Sequence, residues 1–493
     1  MGAGLIKNII IGIILVILAF VVGSMAAEGA RDSLMTLGAI VGGFVLLYMG
    51  KNCWWLIFVL PPVLSILPLG ALENIPFAYS ICLVVLVYWL ILRTMGYVKI
   101  TWHGVIWMDL MTLALFLYFA YTYYCHPVEL MIFSDYETEY VGGKEYVFCI
   151  AAAICYLVLS IVPCSLESLN KVLKWALIAQ IAVAIAYLAY KYNVGLSRLG
   201  RIVYMALACK YSLVGLILAP WKLLILLFAL SLTLYGQREV LIGAAFTYYG
   251  ISFIKRQVIL LLMATGLAIG FLTYLSSQDV LLLLPHRIQR TLYILPWMNI
   301  DKEVAKGAQH SAEWRVVMWK WAMDPRTRYI KDYVWGDGFG QSMKLMRLNT
   351  IRANRGQMQV GEQEFFAETG VWHSGVFTAL HRVGFVGLGM IVLWDLFAIF
   401  LIIRVCMHLD KRKQGFYLMY HSTPFIGSVF VYFISAGTIV FFFSQFHLVA
   451  MAKIAYSQAI KTRIMPQLFT RQRYVPLAIR EMEAPFEQPQ LAK

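Results

Sequence analysis

Residues 371–403 read VWHSGVFTALHRVGFVGLGMIVLWDLFAIFLII. From 375 onward the run is apolar on every side of a helix, the pattern of a segment surrounded by lipid rather than lying against water. It exceeds the roughly 20 residues that carry a helix across a bilayer. At its mouth and inside it stand His373, His381 and Arg382. Ionisable groups in such a place are costly and are by default a functional hypothesis.

The rest of the chain repeats the pattern. Its 493 residues are 61% hydrophobic and only 14% charged, far from a soluble globular average. Apolar runs occupy 8–27, 33–50, 53–71, 75–92, 105–123, 146–163, 171–190, 202–219, 221–235, 239–254, 257–276, 375–403, 421–436 and 438–458. They predict an all-α polytopic membrane protein of about 12–14 transmembrane helices. A β-barrel is disfavoured, because its strands would alternate over about ten residues. The net charge of +15 would suggest nucleic acid in a soluble chain. Here the basic residues gather in short loops on one side, which sets topology, so no nucleic-acid partner is expected. With the N-terminus inside, Lys51, Arg93, Lys99, Lys171, Lys174, Lys222 and Lys255 all fall inside, and the acidic loop 124–145 falls outside. Arg198, Arg201 and Arg238 are the outer-side exceptions. The eight cysteines form no CxxC pair and read as small core hydrophobes.

The chain divides into a bundle (1–276), one large outer loop (277–372), C-terminal helices (373–460) and a basic tail (461–493). The loop holds thirteen Lys or Arg against ten Asp or Glu. Within it, SAEWRVVMWKWAM (311–323) puts Trp314, Val317, Met318 and Trp321 on one helical face, suited to a membrane interface. Asp324-Pro325 should end that helix.

Three stretches carry a resemblance. His373-Ser374 is followed by nine residues, Gly384, two residues and Gly387. This spacing resembles the His-Ser-x9-Gly-x-x-Gly motif of the O-antigen ligase and polymerase superfamily of bacterial membrane glycosyltransferases. YGQREVLIGAAF (235–246) resembles that family's arginine-bearing helix start, with Arg238 in the arginine's place. EWRVVMWKWAMDPRTRYIKDYVWGDGFG (313–340) resembles its Arg-x3-Trp helix followed by a Gly-x-Gly turn, filled by Arg315, Trp319, Gly338 and Gly340. Two departures stand out: the charged Gln237-Arg238-Glu239, and Arg382 inside the histidine motif. The resemblance covers about residues 195–390. It implies a GT-C-like fold in a bacterial inner membrane, with a periplasmic loop and active site. It further implies an inverting, metal-independent transferase without cofactor, moving a glycan from a polyprenyl (undecaprenyl) diphosphate donor to a saccharide or lipid A-core acceptor.

The residue chemistry agrees. A diphosphate leaving group suits planar, always-charged arginine, here Arg238 and Arg315. An attacking sugar hydroxyl needs a base, and histidine titrates near neutrality, which assigns His373. Ser374, Trp319, Arg198, Arg201, Lys210, His381 and Arg382 are candidate substrate contacts. Arg198 and Arg201 would stand at the outer mouth of a span, on carrier phosphates or on lipid headgroups. Lys210, mid-span in this reading, needs a partner or a cavity. His381 lies about 12 Å along a helix from His373, so a shared metal is not expected; it and Arg382 would meet buried partners or line the cavity. Gly384, Gly387 and Gly389 suggest close helix packing, and GDGFG (336–340) a turn. Asp135, Glu137 and Glu139 share a face if extended, as a hard-cation site or a solvated acidic loop. The rival function is a lipid-linked oligosaccharide transporter or flippase; a visible internal repeat would favour it, and none is seen.

Overall fold

The computed structural model describes residues 42–43, 45–64, 77–128, 140–141, 143–233, 238–284, 286–293, 295, 297–342, 366–367, 370, 372–411, 415–434 and 437–462. The expected span 8–27 and the acidic residues 135, 137 and 139 lie outside them. The described helices, in order, are α1 (Leu56–Leu64), α2 (Phe77–Thr94), α3 (Ile106–Cys125), α4 (Gly143–Ile161), α5 (Leu166–Tyr190) and α6 (Tyr192–Lys210). Then come α7 (Leu213–Ile217), α8 (Pro220–Thr233), α9 (Arg238–Ile254), α10 (Val258–Ser277), α11 (His286–Leu292) and α12 (Lys302–Met323). After the loop follow α13 (Gly375–Lys411), α14 (Phe416–Ser422), α15 (Pro424–Ile434), α16 (Ile439–Phe443) and α17 (Phe446–Lys461).

Five stretches are long and apolar enough to cross a membrane: α3, most of α5, α10, α13 up to Asp410, and Ile439–Lys461 across α16 and α17. Shorter apolar helices lie within α2, α4, α8 and α9. The chain is a polytopic helical membrane protein. The extended pairing among the described residues is a two-residue antiparallel ladder of β1 (Tyr140–Val141) on β2 (Gln341–Ser342), which ties the large loop to the approach of α4.

Aromatic rings fill the centre between α3, α13 and α17. Trp394 stacks on Phe446 at 4.2 Å and donates its indole N–H to Thr112 at 2.9 Å. Phe446 in turn meets Phe116 at 5.2 Å. Helices α9 and α15 approach through small residues: a Cβ added at Gly427 would strike the Gly243 carbonyl and the Thr247 hydroxyl. This is the close contact that small residues permit between helices in lipid.

The expected span 202–219 is corrected. The helix runs from Tyr192 to Lys210, and a short α7 follows. Lys255 Nζ donates to the carbonyls of Ala208 at 2.9 Å and Tyr211 at 2.7 Å, and Ser212 Oγ accepts from Gly215 N at 3.0 Å as the cap of α7. A cation on the last carbonyls satisfies groups that a helix end leaves open. Lys210 is therefore an exposed terminal residue beside the Tyr211 ring at 5.5 Å, not a mid-span one. Arg198 and Arg201 move the other way, from the mouth of a span to the interior of a helix.

The amphipathic helix of the loop is α12. Asp301 caps it, accepting from Glu303 N at 2.9 Å and Val304 N at 3.1 Å, and it stops before Asp324-Pro325 as expected. Its packed face keeps Trp314, Met318 and Trp321 of the expected one, and Ala322 joins it in place of Val317. Met318 and Ala322 are fully buried and Val317 is exposed. This face packs with Ile330, Ala367, Trp372 and Leu380.

Candidate active site

Gly384 interrupts α13 with φ +65° and ψ −174°, a conformation that glycine reaches freely and other residues do not. An unbroken helix would bond Phe385 N to the His381 carbonyl and Val386 N to that of Arg382. Here Phe385 N donates to Tyr333 O at 2.8 Å and Val386 N to Val334 O at 3.2 Å. The released carbonyls of His381 and Arg382 accept from Asp337 N at 2.7 Å and Gly338 N at 3.0 Å. Tyr118 donates its hydroxyl to Val383 O at 2.7 Å and reaches Trp335 O at 3.2 Å. The loop 333–338 thus plugs the break and satisfies backbone that water would otherwise have to reach. Of the three glycines expected to pack, Gly384 is a break, Gly387 does pack against Val383 and Tyr118, and Gly389 faces open space.

The same loop engages the two polar residues of the motif. Trp372 donates its indole N–H to His381 Nδ1 at 3.1 Å. An indole only donates, so the ring proton sits on Nε2, which faces Asp337 Oδ2 at 3.5 Å. Asp337 is held by the backbone N–H groups of Lys331 and Asp332, each at 2.9 Å. Arg382 is 2% exposed, donates to the Gly338 and Gly340 carbonyls at 3.3 and 3.4 Å, and stands 3.7 Å from Glu145. Of the two expectations for His381 and Arg382, buried partners is the one the geometry matches. GDGFG is a turn, with Gly336 at φ +83° and Gly338 at φ +78°.

His373 sits two residues before α13 with φ +50°, a strained value for a residue with a side chain. Its half-buried ring meets Trp314 at 5.2 Å and Phe366 at 4.7 Å, both edge-on. Ser374 Oγ donates to Phe433 O at 3.1 Å, fixing the helix start against α15. Trp319 stacks on Phe377 at 5.5 Å and donates to Trp372 O at 3.2 Å. Arg315 lies on the docked face of α12, one turn before Trp319. Its Nε is buried and finds no hydrogen-bond partner among the described residues.

Arg238 is the first residue of α9. Helix α9 runs antiparallel to α15: a Cβ on Gly250 would meet Ile426, and one on Gly243 would meet Val431. Extrapolated, that register brings Arg238 level with the C-terminal end of α15, the end to which Ser374 bonds through Phe433 O. Arg238, Arg315 and His373 therefore share one end of the bundle. Arg198 and Arg201 do not join them. They line a cavity of about 390 Å³ between α1, α5, α6, α14 and α17.

Lys453, Asp109 and Asp395 escaped the sequence reading. Lys453 is wholly buried and bonds Asp109 at 2.6 Å; Asp395 is 3% exposed, and its Oδ2 has no hydrogen-bond partner among the described residues. The available signal was a lone charge inside an apolar run. Among the described residues no three His, Cys, Asp or Glu gather to hold a metal ion. No protein-family model matches the chain, and no curated protein matches it in sequence.

Proposed function

We propose that this protein is an inner-membrane glycosyltransferase of the ligase or polymerase type, GT-C-like in fold, with its site on the periplasmic face. One observation carries the reading. A histidine in a strained backbone, an arginine with a buried donor that has no hydrogen-bond partner among the described residues, and a helix start bearing a second arginine lie at one end of the bundle. In the proposed reaction the acceptor hydroxyl attacks the anomeric carbon of the donor glycan. The bond from that carbon to the polyprenyl diphosphate breaks, and the diphosphate leaves with the electron pair between Arg238 and Arg315. His373 takes the hydroxyl proton. One displacement inverts the anomeric centre. The resemblance implies that no metal takes part, so a chelator should leave transfer intact.

The test is a purified-protein assay with a polyprenyl-diphosphate glycan, with and without a lipid A-core acceptor, read by product size. A ladder identifies a polymerase and a single addition to core a ligase. His373→Ala should lower the rate by about 10²–10⁴-fold while leaving thermal unfolding near the parent value. Unchanged transfer would remove His373 as the base.

The transporter reading has one feature in its favour, the interrupted α13, since transporters bind substrate at broken helices. There the half-helix ends point at the substrate. Here the freed groups at 381–383 and 385–386 are engaged by residues 333–338 and Tyr118, which favours the enzyme. Neither product in the assay, together with movement of the donor across vesicles, would reverse that preference.

A further inference from the structure

Asp109 in α3 and Asp395 in α13 both fall within candidate spans, and the fold treats them differently. Asp109 has Lys453 at 2.6 Å. Asp395 is 3% exposed, and its Oδ2 has no hydrogen-bond partner among the described residues. No cation stands beside it among those residues; its one electrostatic neighbour there is the Tyr432 hydroxyl. That hydroxyl is itself buried and has no hydrogen-bond partner among the described residues. Asp395 stands near the middle of α13, about 16 Å along the helix from the break at Gly384. Its sequence neighbour Trp394 bonds Thr112 inside α3. This is a different place from the transfer site, and nothing argued here depends on transfer.

An ionised carboxylate at such a depth without a counter-charge is too costly to persist. Either a metal ion or a proton must neutralise it. A hard cation takes about six or more oxygens. The backbone of α13 is helical on both sides of Asp395, so the carbonyls of its own turn are spent within the helix. Among the described residues no three His, Cys, Asp or Glu gather to complete a cage. A proton needs no cage, and the protonated acid carries a single O–H. Around the helix axis Asp395 sits at a boundary. Ile391 and Ala398 on one side are buried; Val392 and Leu396 on the other are 37% and 57% exposed. With Leu393 and Phe400, those exposed residues form the face that α13 turns to lipid. The carboxyl is thus one side chain away from hydrocarbon, and is reached from lipid rather than from water.

We propose that Asp395 is a proton-binding site within the membrane, its carboxyl held as the neutral acid and open to lipid-borne electrophiles of the carbodiimide class. In that reaction the acid O–H adds across one C=N bond. The carboxyl oxygen bonds the central carbon, the proton goes to one nitrogen, and the O-acylisourea rearranges by acyl transfer to the other nitrogen. No group leaves, so the residue gains the whole mass of the reagent. Asp109, ionised against Lys453, has no such proton to give and should not react.

The proton is tested by infrared spectra of the full chain in a neutral maltoside detergent near neutral pH. The parent should show the carbonyl stretch of a protonated carboxyl, and Asp395→Asn should lose it. Asp395→Asn matches the neutral acid in size and charge, so it should unfold near the parent temperature. A parent without the band, or a band that survives in Asp395→Asn, would overturn the proposal. Labelling with dicyclohexylcarbodiimide, read by peptide mass, needs no variant and serves if Asp395→Asn does not fold. It should modify Asp395 and leave Asp109 unmodified, while a water-soluble carbodiimide modifies neither. No label on Asp395, or equal labelling of the two aspartates, would overturn the proposal. Protection of Asp395 by sodium or calcium at constant pH would assign the site to a metal ion and end it.

Discussion

Two regions of the bundle hold ionisable side chains away from water, and they are built in opposite ways. Around Lys453 everything is matched. Its ammonium donates to Asp109 at 2.6 Å and to the Ser160 hydroxyl, and it lies 4.2 Å from the Tyr156 ring. Tyr156 and the Val105 N–H donate to the same carboxylate at 2.8 and 2.9 Å. Around His373 the matching is incomplete: Arg315 keeps a buried donor without a partner among the described residues, and the histidine backbone is strained. A buried polar group fully supplied by the fold pins the fold. One left under-supplied has capacity for something that arrives.

The largest effect should come from breaking the matched region. Lys453→Met leaves Asp109 without its cation and should destabilise by about 3 kcal/mol, the lower end for a broken buried pair because Val105 and Tyr156 remain. Adding Asp109→Asn should recover part of the loss. If thermal unfolding in detergent shows Lys453→Met as stable as the parent, the pin reading fails.

Gly384→Ala comes next. A methyl there meets the Val334 carbonyl and the Gly336 N–H, and the backbone itself disfavours a side chain, so about 2 kcal/mol should be lost. The loop 331–342 should become open to protease while the Lys453 region stays closed. Uniform loosening of both regions would show that the two are not independent.

A smaller effect belongs to the docking of α12. Trp319→Phe keeps the stacking on Phe377 and loses the hydrogen bond to Trp372 O, which should cost about 1 kcal/mol. In the transfer assay it should lower the rate more than it lowers stability, since Trp372 adjoins His373. Equal losses would make Trp319 a packing residue alone.

These regions were legible in the sequence to different degrees. Run length and hydropathy marked out α3, α5, α10 and α13, because lipid imposes one composition along a whole helix. Asp324-Pro325 marked the end of α12 for an equally local reason. Lys210 was misplaced because the end of α6 is set by Lys255, 45 residues later, and no window around 202–219 contains it. Gly384 read as packing because the groups that complete its break come from residues 333–338. His381 and Arg382 stayed ambiguous for the same cause: their partners Asp337, Gly338 and Glu145 are distant in sequence. Lys453 and Asp109 each looked like a single charge in an apolar run, and only their meeting explains either. Grouping Arg198 and Arg201 with His373 followed from topology, which reports sides of a membrane and not depth within it.

The smallest effect concerns pH and probes the margin of the matched region. His103 is fully buried, with Nε2 2.6 Å from Val162 O and Nδ1 3.3 Å from the Gln458 amide. Burial holds its pKa below the ordinary 6.5, Lys461 and Lys453 push the same way, and the Val162 hydrogen bond opposes them. Its folded pKa is depressed, so below about pH 6.5 the unfolded chain takes up the proton first. Stability from this residue is therefore full above that pH and declines as pH falls further. The unfolding temperature of the parent should drop between pH 7.5 and 5 more steeply than that of His103→Asn, which removes this titration and leaves the other histidines in place. Parallel curves would mean that His103 is equally easy to protonate folded and unfolded, and that the closed region ends short of the loop at 101–105.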